Sequence, residues 1–316
     1  MKELDALLAA YGGAVAAGTG EAPEYRKAYG STSLDSVFDA ASVAKTFAAV
    51  AAHRLAREGK LGFSDPLGRH LPDLAYLGVT LDQLLRQTSG LFDLYADAPL
   101  RAAFLEFLGD RKRPYFNEDY RAFLAQRKPP LPSVPGTSYR YSNTNYVLLA
   151  LALEAAAGDR YDRLLAKTVL EPAGLRSTAV CGSWNVPQGA RPGTGVTYGD
   201  DDLMTTAVDL YRFARAVSNG TLLTETERME AWKPSMLAGG SRAPYGRGFQ
   251  IRLDSPRRYV YHAGGTGGFR TFVKFAAPDD PAMVVFWLAA EPPAEAFRRL
   301  CAEVVDAVRA LRPSGH

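Results

Sequence analysis

Phe38-Asp39-Ala40-Ala41-Ser42-Val43-Ala44-Lys45-Thr46 is the stretch from which the rest of the chain can be read. Ser42 and Lys45 stand at the head of an Ala-rich run, Val43 to Glu58, that the breaker Gly59 ends. Alanine is the strongest helix former, and Phe47, Val50 and Leu55 supply larger apolar residues, so a helix is predicted here. Residues three apart on a helix share a face, which puts Ser42 and Lys45 one turn from each other. A serine hydroxyl is a poor nucleophile until a neighbouring base takes its proton. A lysine that is buried, or set beside another cation, can be that base. The helix N-terminus adds free N–H groups and partial positive charge where an acyl oxyanion would form. An ordinary N-cap serine with a surface lysine would read the same way, so the pair acquires meaning from its surroundings.

Upstream, Leu4, Leu7, Leu8 and Tyr11 follow helical spacing as far as Gly12-Gly13, and strands are predicted at Ala14 to Ala17 and Glu24 to Tyr29. Downstream, strand patterns vanish from Leu61 to about Thr205. Helical segments replace them at 81–87, 100–108, 118–126, 145–157 and 161–170, and a proline-rich loop occupies 128–138. Another helix is predicted over Met204 to Ser218. Beyond Gly240 the strand signals return, at 248–253, 258–262, 269–275 and 283–289. The run Met283-Val284-Val285-Phe286-Trp287-Leu288 does not alternate, which predicts a strand covered on both faces. Phe297, Leu300, Cys301, Val304, Val305, Val308 and Leu311 mark a final helix whose apolar stripe must lie on the sheet. The two ends of the chain, 1–65 and 205–316, are therefore expected to build one α/β domain. A mainly helical domain, 66–204, is inserted between them.

Composition narrows the function. At 316 residues and 47% hydrophobic there is material for a sizeable core. The net charge of +3 is spread over interspersed signs, so no nucleic-acid partner is expected. The densest basic patch, Arg111-Lys112-Arg113, runs into Pro114 and acidic residues and reads as a solvated loop. Cys181 and Cys301 make no disulfide framework, and Cys301 reads as a buried thiol. The histidines, His53, His70, His262 and His316, have no metal-ligand spacing, and HExxH and CxxC are absent. No metal and no organic cofactor are expected. No apolar run approaches a membrane span and no signal peptide is visible, so with Met1 as the native start a cytoplasmic protein without a membrane partner is expected. The oligomeric state is open.

Two more motifs carry chemistry. Tyr141-x-Asn143 precedes the apolar segment Tyr146–Ala157, where a loop at a helix start projects side chains outward. A tyrosine hydroxyl can relay a proton when cations lie nearby, and an asparagine can hold a substrate amide or the lysine. A helix cap with a packed aromatic is the plainer alternative. His262-Ala263-Gly264-Gly265 ends the predicted strand Tyr259–His262 and runs into Thr266-Gly267-Gly268-Phe269. Glycines there let backbone approach a substrate and aim an N–H at it. A dinucleotide loop is excluded, since the spacing is not GxGxxG and a strand follows.

In the order Ser-x-x-Lys, Tyr-x-Asn, His-x-Gly, the chain resembles the serine β-lactamase and penicillin-binding-protein superfamily, in its class C, D-alanyl-D-alanine carboxypeptidase and esterase branch. Leu84-Leu85-Arg86-Gln87-Thr88-Ser89-Gly90-Leu91, Leu203 to Leu210 and Tyr245-Gly246-Arg247-Gly248-Phe249 strengthen the likeness, which covers roughly Gly13 to Phe275. The resemblance implies an antiparallel sheet flanked by N- and C-terminal helices, with the active site in the cleft beside the inserted helical domain. It implies Ser42 as acylated nucleophile, Lys45 as its base and Tyr141 as proton relay. Asn143 would orient substrate and Lys45, and the N–H groups of Ser42 and Gly265 would form the oxyanion hole, beside His262 and Gly264.

One departure matters. The lactamases and transpeptidases usually carry Lys-Thr-Gly where this chain has His262-Ala263-Gly264, which removes a permanent cation and a hydroxyl. A histidine titrating near ~6.5 would be mostly neutral above pH 7, with β-lactam turnover rising as pH falls toward 6. The expected function is a serine hydrolase acting through an acyl-enzyme on small esters or amides. A β-lactamase or D-amino-acid-specific peptidase, a catalytically silent ligand-binding relative and an acyltransferase remain open.

Overall fold

Every residue of the strand Met283–Leu288 is buried, and its side chains divide between two apolar clusters. Met283, Val285 and Trp287 join one cluster; Val284, Phe286 and Leu288 join the other. A period-two strand does this only when both faces of its sheet are covered. The computed structural model describes residues 2–110, 112–182, 195–201, 203–253 and 258–310. Six strands form one antiparallel sheet: β1 (Gly13–Gly18), β2 (Tyr25–Tyr29), β3 (Gln250–Arg252), β4 (Tyr259–Thr266), β5 (Phe269–Lys274) and β6 (Met283–Leu288). Their spatial order is β2-β1-β6-β5-β4-β3. The first strands of the chain thus pair with the last, Val15 opposite Phe286.

Five helices matter for the site: α1 (Lys2–Ala9), α2 (Ala44–Arg57), α3 (Asn143–Ala157), α4 (Ala207–Ser218) and α5 (Ala294–Ala310). On one face of the sheet, Leu4 and Leu8 of α1 and Phe297, Leu300, Cys301, Val304, Val305 and Val308 of α5 pack on Val15, Phe272 and Phe286. Each large apolar side chain buried this way contributes about 1.5–3 kcal/mol. Leu311, the last member of the expected stripe, lies outside the described residues, as does Arg111 of the basic patch. On the other face, α2 and α4 meet through Phe47 and Phe213, whose rings stack at 3.7 Å between centroids. α3 is buried from Thr144 to Leu153. Shorter helices at Leu81–Leu85, Ala98–Leu108, Asn117–Arg127 and Tyr161–Leu165 complete the helical part. No helix among the described residues is long and apolar enough to cross a membrane.

Two departures from the sequence reading bear on the site. The segment expected to be helical from Met204 begins as a strand, Leu203–Thr205, paired with Phe38–Asp39 and Ala179–Val180. The helix starts only at Ala207, because Thr206 is extended and its hydroxyl accepts from the Asp209 N–H. β4 also runs on through Thr266 rather than stopping at His262. Gly267 and Gly268, with φ of 49° and 99°, supply the two positive values of a two-residue hairpin turn, so both arms stay in register up to the turn.

Candidate active site

Ser42 lies on the single 3-10 turn Ala41–Val43 that leads into α2. Ala41 has φ of 49°, a left-handed value that costs a non-glycine residue energy. The turn is held there by neighbours: Asp39 Oδ1 accepts from Ala41 N–H at 2.8 Å, and Leu203 O accepts from Ala40 N–H at 2.8 Å. The strand Leu203–Thr205 therefore anchors the turn that carries Ser42.

Lys45, one turn into the helix, is fully buried. Its Nζ lies 3.1 Å from Ser42 Oγ, 2.7 Å from Asn143 Oδ1 and 2.8 Å from the Asp200 carbonyl oxygen. The rings of Tyr141 and Tyr146 stand 5.2 and 5.7 Å from it, centroid to Nζ. A buried amine without such partners would face a large desolvation cost. Asn143 is the first residue of α3, and Asp93 Oδ2 accepts from both its backbone N–H, at 3.2 Å, and its Nδ2, at 2.9 Å. Tyr141 is pinned from both sides by Gln87. The Gln87 carbonyl accepts from Arg140 N–H at 3.0 Å and its Oε1 from Ser142 N–H at 2.9 Å.

β4 closes the other side. A Cβ on Gly264 would sit 2.7 Å from Ala40 O, 2.9 Å from Ala41 Cβ and 3.0 Å from Ser42 N, so only glycine lets the strand press against the Ser42 turn. The hairpin register fixes the direction of the next N–H. Thr266 and Phe269 flank the turn as a hydrogen-bonded pair, so Gly265, opposite Arg270, directs its N–H away from β5. Along β4, β3 reaches no further than Tyr261, and Gln250 Oε1 takes the Ala263 N–H at 3.1 Å. The Gly265 N–H thus emerges past the end of β3.

His262 departs from expectation. It is fully buried, with Nε2 3.0 Å from the Tyr245 hydroxyl and Nδ1 3.0 Å from the Ala263 carbonyl oxygen. A carbonyl only accepts, so Nδ1 carries the proton and Nε2 accepts from Tyr245. Burial, followed by the neighbouring charge of Lys45, holds its pKa down at about 3. The ring expected to titrate near 6.5 therefore stays neutral throughout the working range.

Ser42, Lys45 and Asn143 thus come into direct contact, with Tyr141 over the lysine, Gly264 and Gly265 along one edge and His262 behind. Sequence reasoning assigned no role to Asp93, Asp200, Gln87 or Tyr245. Gln87 and Tyr245 sit in stretches that carried the resemblance, and Asp93 lies two residues beyond one of them. Asp200 acts through its backbone carbonyl, which no residue type announces.

Comparison with known proteins bears on the fold and the family. Penicillin-binding protein 4* of Bacillus subtilis is 28% identical over 268 residues, 76% of this chain; the chain spans 58% of that relative's length. Among solved structures, a penicillin binding protein from Bacillus halodurans superposes with a TM-score of 0.78 at 21% identity, covering 98% of both chains. The D-amino acid amidase of Ochrobactrum anthropi SV3 gives 0.77 at 20% identity, over 98% of this chain and 100% of its own. The model of the Beta-lactamase family matches residues 2–308, and with that span the chain belongs to the Beta-lactamase family.

Proposed function

We propose that this chain is a serine hydrolase that works through an acyl-enzyme on small esters or amides. The observation that carries the reading is the set of oxygens around Lys45 Nζ. Asn143 Oδ1 and the Asp200 carbonyl can only accept hydrogen bonds. An unprotonated amine has two hydrogens and one lone pair. In that form the two obligate acceptors would take the hydrogens, leaving the lone pair for Ser42 Oγ, 3.1 Å away. That is the arrangement a general base needs to draw the hydroxyl proton as the oxygen attacks an acyl carbon. The tetrahedral oxyanion would meet the N–H groups of Ser42 and Gly265, and each such donor is worth about 2.7–4 kcal/mol in comparable sites. Tyr141 would pass the proton on to the leaving group, and water would then release the acyl chain by the same steps in reverse.

Substrate choice follows from His262. A neutral, buried ring offers no cation to a substrate carboxylate, and Ala263 offers no hydroxyl. The missing charge-assisted hydrogen bond would be worth about 1.5–3 kcal/mol, roughly ten- to a hundredfold in kcat/KM. Neutral esters and amides need neither contact. A D-amino amide as substrate is a second reading, supported by the likeness to a D-amino acid amidase. The test is intact-mass labelling with a fluorophosphonate, followed by kcat/KM for a p-nitrophenyl acyl ester, a D-amino amide and a chromogenic cephalosporin at pH 7.5. A single adduct on Ser42, absent from a folded Ser42→Ala variant, is expected, with turnover of that variant lower by many orders of magnitude. The ester or the amide should outrun the cephalosporin; the reverse order would sink the substrate reading.

A further inference from the structure

Asp93 is buried, at 6% exposure, and is linked to the proposed base through Asn143. Its Oδ1 accepts from Tyr95 N–H at 2.9 Å, and its Oδ2 accepts from the backbone N–H and the side-chain Nδ2 of Asn143. Asp97 Oδ2 in turn accepts from the Asp93 N–H at 2.6 Å, and Arg140 pairs with Asp97. The carboxylate is thus fixed on one side by a loop and on the other by the start of α3. An asparagine amide is nearly symmetric in shape, and which end faces which neighbour is decided by hydrogen bonding alone. A carboxylate accepts and never donates in its ionised form, so it selects the Nδ2 end of Asn143 and turns Oδ1 toward Lys45.

That choice has a chemical consequence. If the amide were turned over, Nδ2 would face Lys45 and the amine would have to accept from it. Its lone pair would then be spent on Asn143, its hydrogens would go to the Asp200 carbonyl and to Ser42 Oγ, and the serine proton would have no acceptor. We propose that Asp93 is a positioning residue that, through the orientation of the Asn143 amide, aims the Lys45 lone pair at Ser42. This rests on Ser42 and Lys45 being nucleophile and base. It goes beyond that reading by making the basicity of the site depend on a residue that acts through Asn143.

Isosteric replacement separates this role from packing. In Asp93→Asn an NH2 group must face a backbone N–H, either that of Tyr95 or that of Asn143, because each carboxylate oxygen now accepts one. The second arrangement favours the turned-over amide. Asp93→Glu is a worse fit in shape but stays an obligate acceptor. Fluorophosphonate labelling of Ser42, followed by intact mass, gives kinact and KI for wild type, Asp93→Asn, Asp93→Glu, Asn143→Ala and the Asp93→Asn/Asn143→Ala double. The expected result is a kinact about tenfold to a hundredfold lower in Asp93→Asn at unchanged KI, part of the roughly hundredfold to ten-thousandfold that general-base catalysis supplies. Asp93→Glu should keep more of the rate than Asp93→Asn, the opposite of a ranking by shape. In the Asn143→Ala background, where the backbone N–H still caps α3 but no amide remains to orient, Asp93→Asn should change kinact by less than about twofold. An unchanged kinact in a labelled Asp93→Asn protein, equal losses in both backgrounds, or Asn outranking Glu would overturn the inference alone. No adduct on wild-type Ser42 would overturn the hydrolase reading and this inference with it.

Discussion

Lys45 is fully buried within reach of three oxygens, and its neighbour Tyr141 is held by Gln87 at both adjoining residues. If lysine and tyrosine pass one proton between them, Lys45→Ala and Tyr141→Phe should each lower kcat strongly while the double variant loses much less than the sum. A double-mutant cycle measures this directly, and full additivity would reduce one of the two to packing. His262 gives a second expectation at this scale. Its pKa near 3 means that lowering pH from 7.5 to 6 puts no charge on the ring, so the cephalosporin-to-ester ratio of kcat/KM should not rise over that interval. Measured ratios at the two pH values decide it. That Ser42, Lys45, Tyr141 and Asn143 come together was legible in the sequence because each is chemically distinctive and lies at short spacing from a partner. The state of His262 was not legible, since burial by Tyr245 and repulsion by Lys45 come from residues 17 and more positions away along the chain. Asp93 was missed for the same reason: its partner Asn143 lies 50 residues on.

Among the elements, helices were easier to read than the short strands. α2, α3 and α5 declare themselves through length and spacing. The strand Leu203–Thr205 is three residues long and becomes one only by pairing with Phe38–Asp39, so its sequence merges with the helix behind it. Yet this strand matters, since Leu203 O anchors the turn that carries Ser42. The other support of that turn is the close approach of β4 at Gly264. Gly264→Ala would place a methyl 2.7 Å from the Ala40 carbonyl and 3.0 Å from Ser42 N, backbone atoms that cannot rotate away. The turn must shift by several tenths of an ångström, and misplacing a nucleophile on the 1 Å scale can cost about a hundredfold in rate. Gly264→Ala should therefore lower the Ser42 labelling rate tenfold or more while thermal unfolding shows a fold that is still cooperative. Wild-type labelling in this variant would mean that the turn and the strand move as one.

At the scale of the molecule, two buried histidines couple stability to acid. His53, buried first of all and then close to the Arg247 charge, is held at about 4, and His262 at about 3, both below the ordinary 6.5. The unfolded chain protonates these rings as pH falls through 6.5, and the folded chain does not. Stability is therefore complete above that value and is lost progressively on the way down to pH 4 and 3, by about 1.4 kcal/mol per pH unit for each ring. Urea unfolding at pH 6 and pH 5 should differ by about 2–3 kcal/mol, and His53→Gln should roughly halve the difference. No difference would mean that both rings take up protons without unfolding. The sheet itself joins the ends of the chain: β1 lies between β2 and β6, and the strand that backs Ser42 is β4, more than two hundred residues later. A polypeptide leaves the ribosome N-terminal end first. A nascent chain arrested before residue 264 carries the serine and the lysine but neither the glycine edge that braces them nor the neighbour that completes β1. The braced serine–lysine pair is thus assembled late in translation, when the sixth strand slides in beside the first.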